Sequence, residues 1–181
     1  MVSIQYFAYG SNMLRQRLLA RCPNSTFAGR ATLAGYHLSF DKRSTDGSGK
    51  CTITSDASCN VKGALWNITE AEMPALDRLE GVGRGYQRCS VAVTRNDGTI
   101  KKEVQTYHAP RSRVGIGPYD WYLALVIAGA KQHSLPDDYI ARLRNTAFQV
   151  DKDAERPSRR EALRVLAQAN MLGVLDALQN K

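Results

Sequence analysis

Two stretches of this 181-residue chain hold residues whose types and spacing could bind an anion and move a proton. The first is Tyr6-Phe7-Ala8-Tyr9-Gly10-Ser11-Asn12-Met13. A strand ending in Gly-Ser-Asn before a helix leaves several main-chain N–H groups without an internal partner. The helix dipole adds to their pull, so such a turn is a ready anion site. Gly10 permits the tight backbone, and Tyr9 and Ser11 add hydroxyl donors. The second stretch is Leu76-Asp77-Arg78-Leu79-Glu80-Gly81-Val82-Gly83-Arg84-Gly85-Tyr86. Glu80 ends an apolar helical face beside a glycine-rich segment that lets another group approach closely. A carboxylate there faces the negative end of the helix dipole in apolar company, which suits it to general acid/base work. Each stretch also has a plainer reading. The turn serves equally as an ordinary strand–turn–helix, and Glu80 as an exposed last-turn residue paired with Arg84 or Arg88.

The elements that must position these residues follow from periodicity. Residues 4–9 alternate and are rich in aromatics, so they read as a strand. Residues 13–21 read as a short helix stopped by Pro23. Strands are expected at 31–40, 61–68, 86–94 and 102–107, the last two joined by the hairpin signal Asn96-Asp97-Gly98. Residues 42–60 are polar and rich in Gly and Ser, as in a loop. Thr69-Glu70-Ala71-Glu72 fits a capping box for a helix through Leu76 and Leu79. Pro74 would distort the start of that helix, and Gly81 would stop it. Residues 121–133 form a helix apolar on nearly all faces, expected to be buried against a sheet. Another helix starts at Pro136 and ends near Phe148. Ser158-Arg159-Arg160-Glu161 opens a last one, with Leu163, Leu166 and Leu172 on one side. Hairpin links without regular βα alternation favour an α+β fold: a small mixed, barrel-like sheet with flanking helices. The chain reads as one domain over residues 1–181, in which 150–181 are a C-terminal helical extension.

Composition narrows the partners. Charged residues make up 23% and hydrophobic ones 43%, as in ordinary globular proteins. No apolar run is long enough for a membrane helix, and no secretion signal opens the chain, so a cytoplasmic location with four reduced cysteines is expected. The net charge is +8, and its excess lies in residues 1–50, where seven Lys/Arg face two acids. Such a field draws small anions or nucleic acid. The Arg156, Arg159, Arg160 and Arg164 cluster sits among Asp151, Asp153, Glu155 and Glu161, and so reads as a solvated helix start. No nucleic-acid or membrane partner is expected. His37, His108 and His133 lack neighbours at metal-ligand spacing, and Gly81-x-Gly83-x-Gly85 is not a dinucleotide fingerprint. No metal site and no cofactor are expected.

Together the two stretches resemble the γ-glutamylcyclotransferase family. Tyr-Phe-Ala-Tyr-Gly-Ser-Asn is followed about seventy residues later by Leu-Asp-x-x-Glu-Gly-Val. The similarity continues through Gln105-Thr106-Tyr107, from Tyr122 to Gly129-Ala130-Lys131, and through Leu135-Pro136 and Tyr139. It implies a small mixed barrel, Glu80 as the proton acceptor, and a substrate cradle of Tyr6, Phe7, Ala8, Tyr9, Gly10, Ser11 and Asn12. Tyr107 and Tyr122 match the family's substrate tyrosines. The implied substrate is a small γ-glutamyl compound whose own α-amine closes the ring of 5-oxoproline. A γ-glutamyl-amine cyclotransferase or biosynthetic deprotecting enzyme of the same fold, and a binding module that has lost catalysis, are the alternatives. A homodimer is compatible with it.

Overall fold

The computed structural model describes residues 2–180. Five strands close into a barrel in the order β1-β3-β2-β4-β5. They are β1 (Ser3–Ala8), β2 (Thr26–Arg43), β3 (Gly49–Thr69), β4 (Gln87–Arg95) and β5 (Ile100–His108). The helices are α1 (Arg15–Arg21), α2 (Met73–Glu80), α3 (Asp120–Gln132), α4 (Asp137–Arg144), α5 (Pro157–Gln168) and α6 (Leu172–Gln179). β1 is antiparallel to β3 and parallel to β5, so the sheet is mixed, as its hairpin-rich sequence suggested. No helix among the described residues is long and apolar enough to cross a membrane.

Two consequences of this topology place the site. Because β1 and β5 run the same way, Ala8 and His108 finish at one end of the barrel. Thr69, the last residue of β3, pairs with Ser3 at the opposite end. α2, eight residues and so about 12 Å long, then carries the chain back toward the end of β1. Only half of the expected capping box forms: Glu72 Oε2 accepts from the Thr69 hydroxyl at 2.6 Å and from the Thr69 N–H at 3.4 Å, while the helix begins after Glu72 without a side-chain cap. Pro74 falls in the first turn. No intrahelical donor is needed there, so the distortion expected from it does not arise. Gly81 ends the helix at φ 68° and ψ 44°, with the Val82 N–H returned to the Asp77 carbonyl at 3.0 Å. The left-handed conformation explains why glycine stands there.

Several boundaries differ from the sequence reading. Residues 42–60 are not a loop. They belong to the long β2–β3 hairpin, whose turn takes up only residues 44–48. Three register shifts in that ladder break the alternation by which strands are recognised. The first helix does not begin at Met13: a single 3-10 turn (Ser11–Met13) comes first, and Leu14 is extended at ψ 116° before α1. α4 stops at Arg144, short of Phe148. The last helix is two, because Asn170 turns left-handed at φ 55° between α5 and α6. Ser158 makes no capping bond, and Glu161 reaches Arg17 instead.

α3 is buried on all sides from Asp120 to Ala130. Beside the sheet, which it meets through Tyr122 at Phe40 and Cys51, it is covered by α4, α5, α6 and the 3-10 turn. Gly129 makes the last contact possible. A Cβ there would lie 2.6 Å from Met13 Cβ and 2.7 Å from the Leu14 nitrogen. Gly129→Ala therefore sets two effects against each other. Helix propensity favours alanine by about 1 kcal/mol, whereas overpacking costs about 1–3 kcal/mol, and here the obstacle includes backbone. We expect a net loss of stability in urea unfolding; an unchanged or higher midpoint would show that the turn can retreat freely.

Candidate active site

Buried polar side chains converge where the ends of β1, β5 and α2 meet. Tyr6, Tyr9, Gly10, Ser11, Asn12, Cys51, Glu80, Tyr86, Tyr107 and Tyr122 line one narrow cavity. At its centre is the Glu80 carboxylate. Oε1 accepts from Arg21 Nη1 at 2.8 Å and from Asn12 Nδ2 at 2.9 Å. Arg21 also donates to Asn12 Oδ1 at 3.0 Å, and Asn12 Nδ2 reaches the Tyr6 hydroxyl at 3.1 Å. The side chains of Arg21 and Glu80 are each 15% exposed. Both bonds fall on one carboxylate oxygen. Among the described residues none is recorded on Oε2, which leaves it to meet a ligand. The apolar company expected around Glu80 is thus replaced by a guanidinium and an amide.

The turn before α1 contributes main-chain donors. Its first internal bonds run from the Met13 N–H to the Gly10 carbonyl at 3.0 Å and from the Leu14 N–H to the Ser11 carbonyl at 3.3 Å. The N–H groups of Gly10, Ser11 and Asn12 precede that ladder. Gly10 has φ −109°, open to any residue, so its glycine is needed for space. A Cβ there would sit 3.1 Å from Cys51 Cβ and 3.5 Å from the Tyr122 hydroxyl. Ser11 Oγ accepts from Arg17 Nε at 3.1 Å, and Arg17 is itself held by Glu161 of α5 at 3.1 Å. Burial, with Arg21 nearby, pushes the Arg17 guanidinium down to about 10. The C-terminal helices are thereby tied to the turn.

The tyrosines complete the wall. Burial raises Tyr6, Tyr9, Tyr86, Tyr107 and Tyr122 above the usual phenol range, and the charge of Glu80 adds to it in each case. All five remain protonated and able to donate. Tyr9 donates to the Tyr107 carbonyl, and Tyr107 to Asp77, one turn before Glu80, at 2.8 Å. Tyr86 donates to the Cys51 carbonyl at 2.7 Å, and the Cys51 N–H donates to the Tyr122 hydroxyl at 3.2 Å. A larger cavity of about 920 Å³ lies between the β2–β3 hairpin and α4. The tyrosine-lined one, at about 30 Å³, is the better candidate because its polar groups are buried and convergent.

Comparison with known proteins bears on this arrangement. The model of the AIG2-like family matches residues 60–143. The γ-glutamylcyclotransferase of Bos taurus is 31% identical over 149 residues, covering 78% of this chain and 77% of its own. The chain belongs to the γ-glutamylcyclotransferase family. The Homo sapiens γ-glutamylcyclotransferase is 30% identical over 151 residues, with 78% of each chain covered. A solved γ-glutamyl cyclotransferase structure superposes with a TM-score of 0.81 at 25% identity, covering 90% of this chain and 99% of that one.

In this γ-glutamylcyclotransferase-family chain, Glu80, Tyr6, Tyr9, Gly10, Ser11, Asn12, Tyr107 and Tyr122 meet in one cavity. Phe7 and Ala8 do not line it. The Phe7 ring lies behind Gly63, and its carbonyl accepts from Thr106 Oγ1 at 2.8 Å. Arg21, Tyr86 and Cys51 were not singled out by sequence. Arg21 carried only a general charge signal, Tyr86 only its place after a glycine-rich segment, and Cys51 none. Burial pushes the Cys22 thiol up to about 11 and the Cys51 thiol up to about 12. At about pH 8, near the free-thiol pKa, both should resist alkylation until the protein is unfolded. Peptide mass spectrometry after iodoacetamide checks this, and rapid modification of Cys51 in the folded protein would contradict it.

Proposed function

We propose that this chain is a γ-glutamylcyclotransferase with Glu80 as its proton carrier. The observation that carries the reading is the 2.9 Å bond between Asn12 and Glu80, which sets the carboxylate against the Gly10–Asn12 turn with Oε2 open. Membership of the family supports the reaction. A γ-glutamyl compound brings its own nucleophile. Once the α-ammonium loses a proton, the amine nitrogen attacks the γ-carbonyl carbon and closes a five-membered ring. The amide C–N bond then breaks, and the departing nitrogen takes the proton back. Intramolecular attack of good geometry gains effective molarities of about 10⁵–10⁸ M. The protein's tasks are to fold the substrate, carry one proton and stabilise the oxyanion. Glu80 Oε2 does the second, while Arg21 and Asn12 hold Oε1 and orient the carboxylate. N–H groups of the turn and the hydroxyls of Tyr6 and Tyr122, which accept from Asn12 and the Cys51 N–H and so keep a proton to give, supply donors for the α-carboxylate and the developing oxyanion. This chemistry calls for no cofactor.

Glu80→Gln keeps the shape and removes the base. It should lower the release of 5-oxoproline from γ-glutamyl dipeptides by at least about 10²–10⁴-fold. The unfolding midpoint should fall as well, because the Arg21 guanidinium loses its carboxylate, so circular dichroism at the assay temperature is needed to show that the variant is folded. Near-normal turnover would sink the mechanism. Gly10→Val drives a branched side chain against Cys51 and Tyr122. In steady-state assays KM should rise and kcat fall, whereas Ser11→Ala keeps every main-chain donor and should be milder; the reverse order would remove the turn from the site.

A further inference from the structure

The β2–β3 ladder slips at one place outside the tyrosine-lined cavity. Ala34 pairs with Asn60 and Tyr36 with Ser55. A single residue of β2, Gly35 at φ 77°, therefore faces four of β3, from Asp56 to Cys59. The extra length gathers into a bulge. Asp56 Oδ1 accepts from the Ser58 N–H at 3.0 Å and from the Ser58 hydroxyl at 2.7 Å, which fixes the carboxylate. His37 stands beside it on β2, paired with Thr54. One ligand atom from each of His37, Asp56 and Cys59 lies within 4.8 Å of the others. Read from the sequence, His37 had no partner at metal-ligand spacing; the bulge supplies two across 22 residues. Bulges commonly re-aim side chains beside functional sites.

We propose that His37, Asp56 and Cys59 bind a single zinc-like divalent cation. Imidazole nitrogen, carboxylate oxygen and thiolate sulfur are the three donor types that zinc takes, at about 2.0–2.3 Å. Calcium and magnesium prefer all-oxygen shells, so the donor set selects against them. Ligands of a tetrahedral ion at those lengths stand about 3.5 Å apart. A contraction of no more than about 1.3 Å is then needed from the present limit of 4.8 Å, which the exposed His37 on β2 and the half-buried Asp56 and Cys59 on the bulge can share. On binding, the Cys59 thiol gives its proton to solvent. Thiolate and carboxylate together then balance the 2+ ion, and the imidazole stays neutral. Ser58 already holds Oδ1, so Oδ2 is the ligating oxygen, oriented by an outer-shell partner in the usual manner. His37 and Cys59 also line the cavity of about 920 Å³. The fourth coordination position therefore opens toward that space, as in sites that keep a place for water or a small donor. No residue is shared with the tyrosine-lined cavity, so the proposal stands apart from the function assigned above.

The test is a titration of the whole protein with zinc(II) against a chromophoric chelator, and with cobalt(II) followed by absorption. One equivalent should bind, and cobalt should give a thiolate charge-transfer band with the intense d–d bands of a four-coordinate ion. His37→Ala and Cys59→Ala should each weaken binding by at least about 10-fold, the scale already seen for outer-shell changes. Asp56→Asn keeps the side-chain shape and should do the same. Unfolding midpoints measured in chelator separate loss of the site from loss of the fold. Wild-type affinity no greater than that of a His37→Ala/Cys59→Ala double variant would overturn the proposal. So would a cobalt spectrum without the thiolate band.

Discussion

A carboxylate held mostly out of water must be met by donors or by a cation, and Glu80 is met by both. Its partners come from different parts of the chain: Asn12 from the turn after β1, and Arg21 from the end of α1. The pair therefore fixes the C-terminus of α2 against two other elements at once. The surroundings conform to that requirement. β3 must deliver Thr69 to the far end of β1 so that α2 can return, and Gly81 must stop the helix where Glu80 reaches the turn. Gly129 must stay small so that α3 can press the 3-10 turn from behind. Removing Arg21 alone would strand a buried charge, which costs more than the pair contributes.

The charge distribution acquires a location in the fold. Four of the seven basic residues among the first fifty lie around the cavity. Arg21 meets Glu80, Arg17 holds Ser11, Lys42 lies 4.9 Å above the Tyr86 ring, and Lys50 lies 4.7 Å above that of Tyr122. Burial lowers both lysines from the usual ammonium range; Lys42 faces an aromatic ring, and Lys50 is held besides by Asp46 at 2.9 Å.

Much of this was legible in the sequence, for identifiable reasons. The aromatic alternation of β1, the Gly81 stop and the all-apolar α3 are local signals, and each appears where expected. Signals that depend on distant partners were not readable. Residues 49–60 looked like a loop because the bulges that reset β3 against β2 erase its period. α5 and α6 looked continuous because Asn170, unlike glycine, does not announce a left-handed residue. For the site, the turn and Glu80 stand out by composition. Arg21 and Cys51 do not, since their meaning comes from elements brought together only by barrel closure. Phe7 shares the turn's motif yet serves the core, because successive strand residues face opposite ways.

That closure has a kinetic side. Tyr9 bonds to the carbonyl of Tyr107 across 98 residues of sequence, whereas the β4–β5 hairpin joins its strands through a turn at Gly98. Closing a flexible loop of that length costs about 4 kcal/mol in chain entropy, against about 1.5 kcal/mol for a hairpin turn. The hairpin is the cheap contact and the β1–β5 seam the costly one, so local pairing precedes the seam during folding. The two tyrosines meet on that seam. Far-ultraviolet signals of secondary structure should therefore recover before the binding cavity exists, and the cavity is the part of the molecule that reports a closed barrel.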